Sequence, residues 1–416
     1  MKQVSGTTSL MVALMAGWFV PVNVSAAPQA VFLRLKGVGV GSSPAAGGSD
    51  VQVLGNYAYV ASGGLEIFSV TNPSAPLWVG SYGSHAPVNA VRVVGPYAYL
   101  AEGTVQTLTN DPGTLEIVDV SDTANPARVG SVDTLGRANS VRVANNYAFV
   151  AESVRWTGSN LLGALEIFDV STPTNPVRVA TFDTAGSATS VDVSGGHAYL
   201  ADGVTDLQVI DVSDPHNPWR AGVYHSDSSH NACGAEAGGP ASHVQVLDNL
   251  AYSSGNNGVN VLDVSDPAHP AQIGNNFCLP AQGFHVSGQY AYAMTWVSGA
   301  NTFLLRVLDA SDPTRLVTVG GKENWGSTRL QVVDRWVYRA GIPLLVYEIS
   351  AQPVIESLSI AGGMLVLTWE NAPGFVLQRT SSLSEPHWSN VPGSESASRV
   401  ELPLGNGNEF FRLSRL

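Results

Sequence analysis

Charge is scarce in this sequence. Only 13% of its 416 residues are Asp, Glu, Lys or Arg, and Lys2, Lys36 and Lys322 are its three lysines. Exposed helices are built largely from Lys, Glu, Ala and Leu, so a solvated helical array is excluded. The 44% hydrophobic content excludes a disordered chain. Basic charge is shortest of all: 20 Lys and Arg stand against 33 Asp and Glu, for a net charge of −13. Phosphate binding needs clustered positive charge, so no nucleic-acid partner is expected. The sequence also lacks a nucleophile elbow, a phosphate loop and a metalloprotease helix, which weakens an enzymatic reading without removing it.

Glycine and proline are what the chain has in quantity, 43 and 24 residues, and they predict many short strands joined by turns. Residues 1–27 combine one early cation, an apolar run from Leu10 to Val20, and the small-residue ending Val24-Ser25-Ala26-Ala27. This reads as a signal peptide cleaved near Ala26 or Ala27. A bilayer span needs about 20 apolar residues, so no membrane span is expected. The mature protein is expected to be exported to a periplasm, a cell surface or the medium. There, a lone pair of cysteines, Cys233 and Cys278, tends to become a disulfide, with two buried free thiols as the alternative.

A two-part phrase recurs seven times. Its first half is an alternating strand, a tight turn and an aromatic strand, as in Val91-Arg92-Val93 with Tyr97-Ala98-Tyr99 or Val141-Arg142-Val143 with Tyr147-Ala148-Phe149. Its second half reads Leu115-Glu116-Ile117-Val118-Asp119-Val120-Ser121-Asp122, followed by a further short strand. The second aromatics, Tyr59, Tyr99, Phe149, Tyr199, Tyr252, Tyr292 and Tyr338, are spaced 40, 50, 50, 53, 40 and 46 residues apart. Four period-2 strands per unit at such a period predict an all-β fold, a seven-bladed β-propeller. The seventh unit stops after three strands. The segment Val31 to Lys36 is expected to supply its fourth, closing the ring and hiding two strand edges.

The phrase resembles the LVIVD-repeat family, on the strands Leu115-Glu116-Ile117-Val118-Asp119 and Leu165-Glu166-Ile167-Phe168-Asp169, the Tyr-Ala-Tyr elements and the Asp-Val-Ser-Asp-Pro turns. The resemblance covers about residues 50–350. It implies an exported bacterial propeller and assigns no chemistry. The expected domains are therefore a propeller over residues 28–350 and a small β-sandwich-like module over residues 351–416, where the alternation changes to Met364-Leu365-Val366-Leu367-Thr368-Trp369.

Three sets of residues invite a chemical reading. The Asp-Val-Ser-Asp-Pro turns place two carboxylates three residues apart, as calcium would want, yet Asp and Ser beside Pro are also what a tight turn wants, and many copies favour structure. Glu102, Glu152 and Asp202 end the aromatic strands of three consecutive blades, an acidic arc that reads as a cation or cationic-ligand site or as a solvated rim. The insertion His225 to Cys233, with His243 following, holds zinc-type ligands without zinc-site spacing, so no metal or other cofactor is expected. The loops Gly103 to Thr114, Ser153 to Ala164, His225 to Ser242 and Thr295 to Thr302 vary in length and share one face. Recognition of a protein or polysaccharide is expected there, with Glu102, Glu152, Asp202, Trp156 and His243 as candidate contacts. The expectation is thus a non-catalytic, monomeric binding or scaffold protein. The alternative is a polysaccharide hydrolase or lyase using the three acidic residues.

Overall fold

The computed structural model describes residues 31–42, 49–103, 112–156, 161–203, 205–225, 241–255, 258–276, 281–297, 302–324, 329–341, 343–351, 355–361, 364–369, 375–381, 387–394, 397, 399–403 and 409–415. Among these residues every regular element is a strand, and no helix is long and apolar enough to cross a membrane. Cys233, Cys278 and the side chain of Trp156 lie outside the described residues.

Each repeat forms one antiparallel sheet whose strands lie in sequence order. Blade one is Asp50–Leu54, Tyr57–Ala61, Leu65–Ser69 and Leu77–Tyr82; blade two is Val88–Val94, Tyr97–Glu102, Thr114–Asp119 and Ala127–Asp133. Blade three is Arg137–Ala144, Tyr147–Trp156, Leu161–Asp169 and Val177–Thr184; blade four is Ala188–Ser194, His197–Asp202, Leu207–Asp211 and Trp219–Tyr224. Blade five is Ala241–Leu247, Leu250–Gly255, Gly258–Asp263 and Ala271–Asn276, and blade six is Ala281–Ser287, Tyr290–Val297, Thr302–Asp309 and Val317–Asn324. Blade seven has Leu330–Val333, Trp336–Arg339 and Leu344–Ala351 of its own.

Local chemistry fixes the first hairpin of every blade. The leading turn residue has positive φ in all seven, at Gly55, Gly95, Asn145, Gly195, Asp248, Gly288 and Asp334, positions held only by glycine or by the two residues that best tolerate this region. The first strand of each blade touches those of both neighbours, and that of blade one touches that of blade seven. The first strands are therefore innermost, and the seven-bladed propeller expected from the repeat is what the chain forms.

The apolar cores lie between blades. Tyr59, Leu65 and Ile67 of blade one pack on Val88, Val91, Leu100 and Val118 of blade two, and the pattern continues around the ring. Val51, Val53, Phe68 and Val70 of blade one pack on Tyr338, Leu344 and Val346 of blade seven. A sheet of this kind buries its faces against neighbouring blades, so a single blade is not expected to be stable alone.

The strand Val31–Gly39 lies beside Leu344–Ala351 of blade seven and, on its other edge, beside Val317–Asn324 of blade six. It thus joins the two blades into one eight-stranded sheet, a double role that the sequence did not announce.

By contacts the chain divides into Leu33–Ile349 and a second unit of Ser350–Leu416 grouped with residues 1–32. In the second unit, the sheet Ile355–Ala361, Met364–Trp369 and Arg399–Pro403 and the sheet Ser389–Asn390, Phe375–Thr380 and Phe410–Arg415 share a core of Leu365, Leu367, Leu377, Val391 and Phe411.

Candidate functional site

Two polar constellations are set into this apolar frame. The first comes from the middle residue of each innermost strand, whose neighbours on either side pack between blades while it turns to the ring's axis. Around the ring these are Gln52, Arg92, Arg142, Asp192, Gln245, His285 and Gln331, all half-buried. Several reach forward to hold the next blade. The Gln52 side chain accepts from the Val93 N–H at 2.7 Å and donates to the Val93 carbonyl at 3.3 Å; Gln245 does the same to Val286, at 2.8 and 3.1 Å. Asp192 accepts from the Val246 N–H at 2.7 Å, and Gln331 accepts from the Val53 N–H, closing the belt between blades seven and one.

Two residues earlier along the chain lies a second tier, Asp50, Ala90, Ser140, Ser190, His243 and Gly283 on their strands and Arg329 just before Leu330–Val333. Asp50 accepts from the Val91 N–H and Ser190 from the Val244 N–H, at 3.2 and 3.3 Å. Arg92 pairs with Asp50 at 3.2 Å and Arg142 with Asp192 at 2.9 Å. Arg329 reaches the His243 ring, which also meets Ser190 Oγ at 3.0 Å. Burial and then the repulsion of Arg142 push the Arg92 guanidinium down to about 10. Burial and the nearby guanidiniums hold His243 well below the ordinary histidine range and push His285 down to about 4, so both rings are neutral at pH 7. The axis therefore carries three cations, Arg92, Arg142 and Arg329, against two carboxylates, Asp50 and Asp192.

The second constellation contains the acidic arc, and here the solvated-rim reading is corrected. Glu102, Glu152 and Asp202 are 0%, 1% and 0% exposed. They end strands whose outer halves are covered by neighbouring blades, and each meets a partner from the third strand of its own blade. Burial, a hydrogen bond with Glu116 and its repulsion push Glu102 up to about 9. The same causes, with Glu166 as partner, push Glu152 up to about 10. Each pair thus holds a proton at neutral pH. Glu166 is balanced by Arg178 at 2.5 Å, and Glu116 by Arg128 at 3.6 Å with His85 at 3.4 Å. The Leu135 N–H donates to both Glu152 and Glu166, at 3.2 and 3.1 Å.

Blade four carries the same device with an amide in place of the protonated carboxyl: Gln208 Nε2 donates to Asp202, whose other oxygen accepts from the Thr205 N–H at 2.6 Å. In blade one Ser62 replaces the first member, and Glu66 accepts from Trp78 Nε1 at 2.5 Å and from Ser42. None of Glu102, Glu152 and Asp202 is displayed to solvent, and His243 is buried, in contact with Ser190 and Arg329.

The turn aspartates are spent locally. Asp119 and Asp122 accept from the Ser121 and Ala124 N–H groups at 2.8 and 3.0 Å, and the same bonds recur at Asp169, Asp211, Asp214, Asp263, Asp266, Asp309 and Asp312. Side-chain donation from Ser121 to Asp119 and from Asn125 to Asp122, followed by these N–H bonds, holds both below the usual carboxylate range, and at Asp263 the Ser265 N–H leads. Among the described residues, no group of three or more His, Cys, Asp or Glu side chains could hold a metal ion.

Sequence reasoning missed Arg92, Arg142 and Arg329 as a set, and Glu116, Glu166 and Gln208 as partners. The available signal was the polar residue recurring between two valines in the innermost strands. For Gln208 it was the position that reads Glu in blades one to three.

Residues 47–84, 87–134, 135–184, 185–226, 238–276 and 280–321 each match the model of the LVIVD repeat. The chain belongs to the LVIVD repeat family. No curated protein matches it. Among solved structures it is similar to the computationally designed Ika8 protein, at 9% identity over 76% of this chain and 99% of that one, with a TM-score of 0.48.

Proposed function

We propose that this LVIVD-repeat propeller is an exported, monomeric, non-catalytic binding or scaffold protein that recognises a protein or polysaccharide through its variable-loop face. One asymmetry carries the reading. The turn between first and second strands is two residues long in all seven blades and opens each time on a residue with positive φ, whereas the connection between second and third strands runs from 256–257 in blade five to 103–113 in blade two. The blade-four to blade-five link, 225–240, leaves on that same variable side. Length variation on one face of a rigid ring is where recognition is usually placed. The buried carboxyl pairs lie under those connections and serve to fix the strand ends that carry them.

Cosedimentation with a panel of insoluble polysaccharides tests the reading, comparing the mature chain with a variant in which residues 226–240 are replaced by Gly-Asn. Binding that the loop-shortened variant loses supports it. Binding that survives both this replacement and a matching replacement of residues 104–111 overturns the loop face as the site.

A further inference from the structure

The ring's axis has one positive charge too many. Asp50 is committed to the Val91 N–H and to Arg92, and Asp192 to the Val246 N–H and to Arg142. Among the described residues Arg329 has no carboxylate of its own at ion-pair distance, and the attraction it feels is that of Asp50, which Arg92 already pairs. The Arg329 side chain passes blade six, where the corresponding second-tier residue is Gly283, and ends at the His243 ring of blade five. That ring is neutral, so the contact satisfies a donor without balancing the charge. Arg92 registers the repulsion of Arg142 and Arg329, and Arg329 that of Arg142, which places the three cations within one electrostatic neighbourhood.

This arrangement runs against the whole chain, in which Lys and Arg are outnumbered 20 to 33. Three guanidiniums gathered on the axis of an acidic protein need a reason, because a buried charge is costly unless it is paired. The hydrogen bonds observed for Arg92 use Nη1 alone, and those for Arg142 use Nε and Nη1, which leaves donors on both forks. Half-buried side chains on the axis retain surface that a small ligand can reach.

We propose that the axis of the propeller is a binding site for a small oxyanion, a phosphate or carboxylate group, held by the guanidiniums of Arg329, Arg142 and Arg92. Planar guanidinium forks match the paired oxygens of such groups and add charge to each hydrogen bond. The neutral His243 and His285 rings complete the wall without adding repulsion to an already cationic site. The three guanidiniums and the two histidines stand on or next to the innermost strands and not in the variable loops, so the anion test is read apart from the polymer test.

Isothermal titration of the mature chain with inorganic phosphate and, separately, with malonate at constant ionic strength tests the proposal. Saturable binding of either probe is expected, and the tighter of the two identifies the group the site prefers. Arg329→Gln is expected to weaken it at least tenfold, while Arg315→Gln, at an exposed turn, leaves it unchanged. Should Arg329→Gln not fold, phenylglyoxal labelling of the wild-type chain gives the same answer: the bound probe protects Arg92, Arg142 and Arg329 and leaves Arg315 reactive. Absence of saturable binding by both probes, equal binding by Arg329→Gln and wild type, or no selective protection overturns it.

Discussion

A Cβ built on Gly37 would stand 2.3 Å from the carbonyl oxygen of Pro73. Gly37 belongs to the N-terminal strand and Pro73 to the turn after the third strand of blade one. Gly130 stands in the same relation to Pro173 of the next blade, at 2.1 Å, Gly222 to Pro267 and Gly274 to Pro313. The N-terminal strand therefore meets blade one as an outer strand meets its following blade. At these four places the Pro-ended turn after a third strand is the wedge that the neighbouring outer strand rests on, a structural role for a recurring turn.

Gly130→Ala is expected to lower stability by about 1–3 kcal/mol, the usual cost of overpacking, because the obstacle is backbone. Urea unfolding measures it. Blade three has Ala180 at the matching place, so Ala180→Gly is expected to cost much less.

Deletion of Gln29 to Lys36 should expose the edges of Leu344–Ala351 and Val317–Asn324 together, with each lost ladder bond worth about 0.5–1.5 kcal/mol net. A lower melting temperature and self-association are expected. A deleted protein that melts with the wild type and stays monomeric would make the N-terminus a mere tail.

The carboxyl pairs predict a pH dependence whose sign is fixed. Glu102 and Glu152 bind protons more tightly folded than unfolded, so stability is full below the ordinary glutamate range and declines as pH rises toward about 9 and about 10. The slope is at most about 1.4 kcal/mol per pH unit for each proton. Glu152→Gln imitates the blade-four amide, and it should leave stability at pH 7 near wild type while flattening the decline between pH 6 and 9. An undiminished slope in Glu102→Gln/Glu152→Gln would show that the protons reside elsewhere.

The axial belt predicts the cost of cutting one link. Gln52→Ala leaves the Val93 N–H without its partner, and a loss of about 1–3 kcal/mol is expected. Gln52→Glu keeps the acceptor and loses only the bond from Nε2, so it should fall between the two.

Cys233 and Cys278 are expected to be bridged in exported protein, which would enclose blade five in a loop of about 45 residues and stabilise it by roughly 4 kcal/mol in the chain-entropy account. Labelling of denatured, unreduced protein should find no thiol; recovery of two labelled cysteines would refute the bridge.

The fold was legible because each of its devices is local or periodic. Alternation marks the strands, Gly55 or Asn145 marks a turn, and seven aromatic landmarks count the blades. The site was not legible for the opposite reason. Glu102 is fourteen residues from Glu116, and a polar residue at a strand end reads as surface until the third strand folds over it. Arg329 and His243 are 86 positions apart, and only ring closure brings them together. The alternation of polar residue and valine marks a strand with two unlike faces, and nothing in one repeat says that the polar face looks onto an axis.

The central claim, binding without catalysis, is tested most directly by incubating the purified mature protein with the same polysaccharide panel and measuring released reducing ends and unsaturated sugars. The account predicts that at least one polymer or protein ligand is retained and that no polysaccharide is turned over. Turnover that disappears in Glu152→Gln, with the variant folded, would contradict it and make the buried pair a catalytic acid.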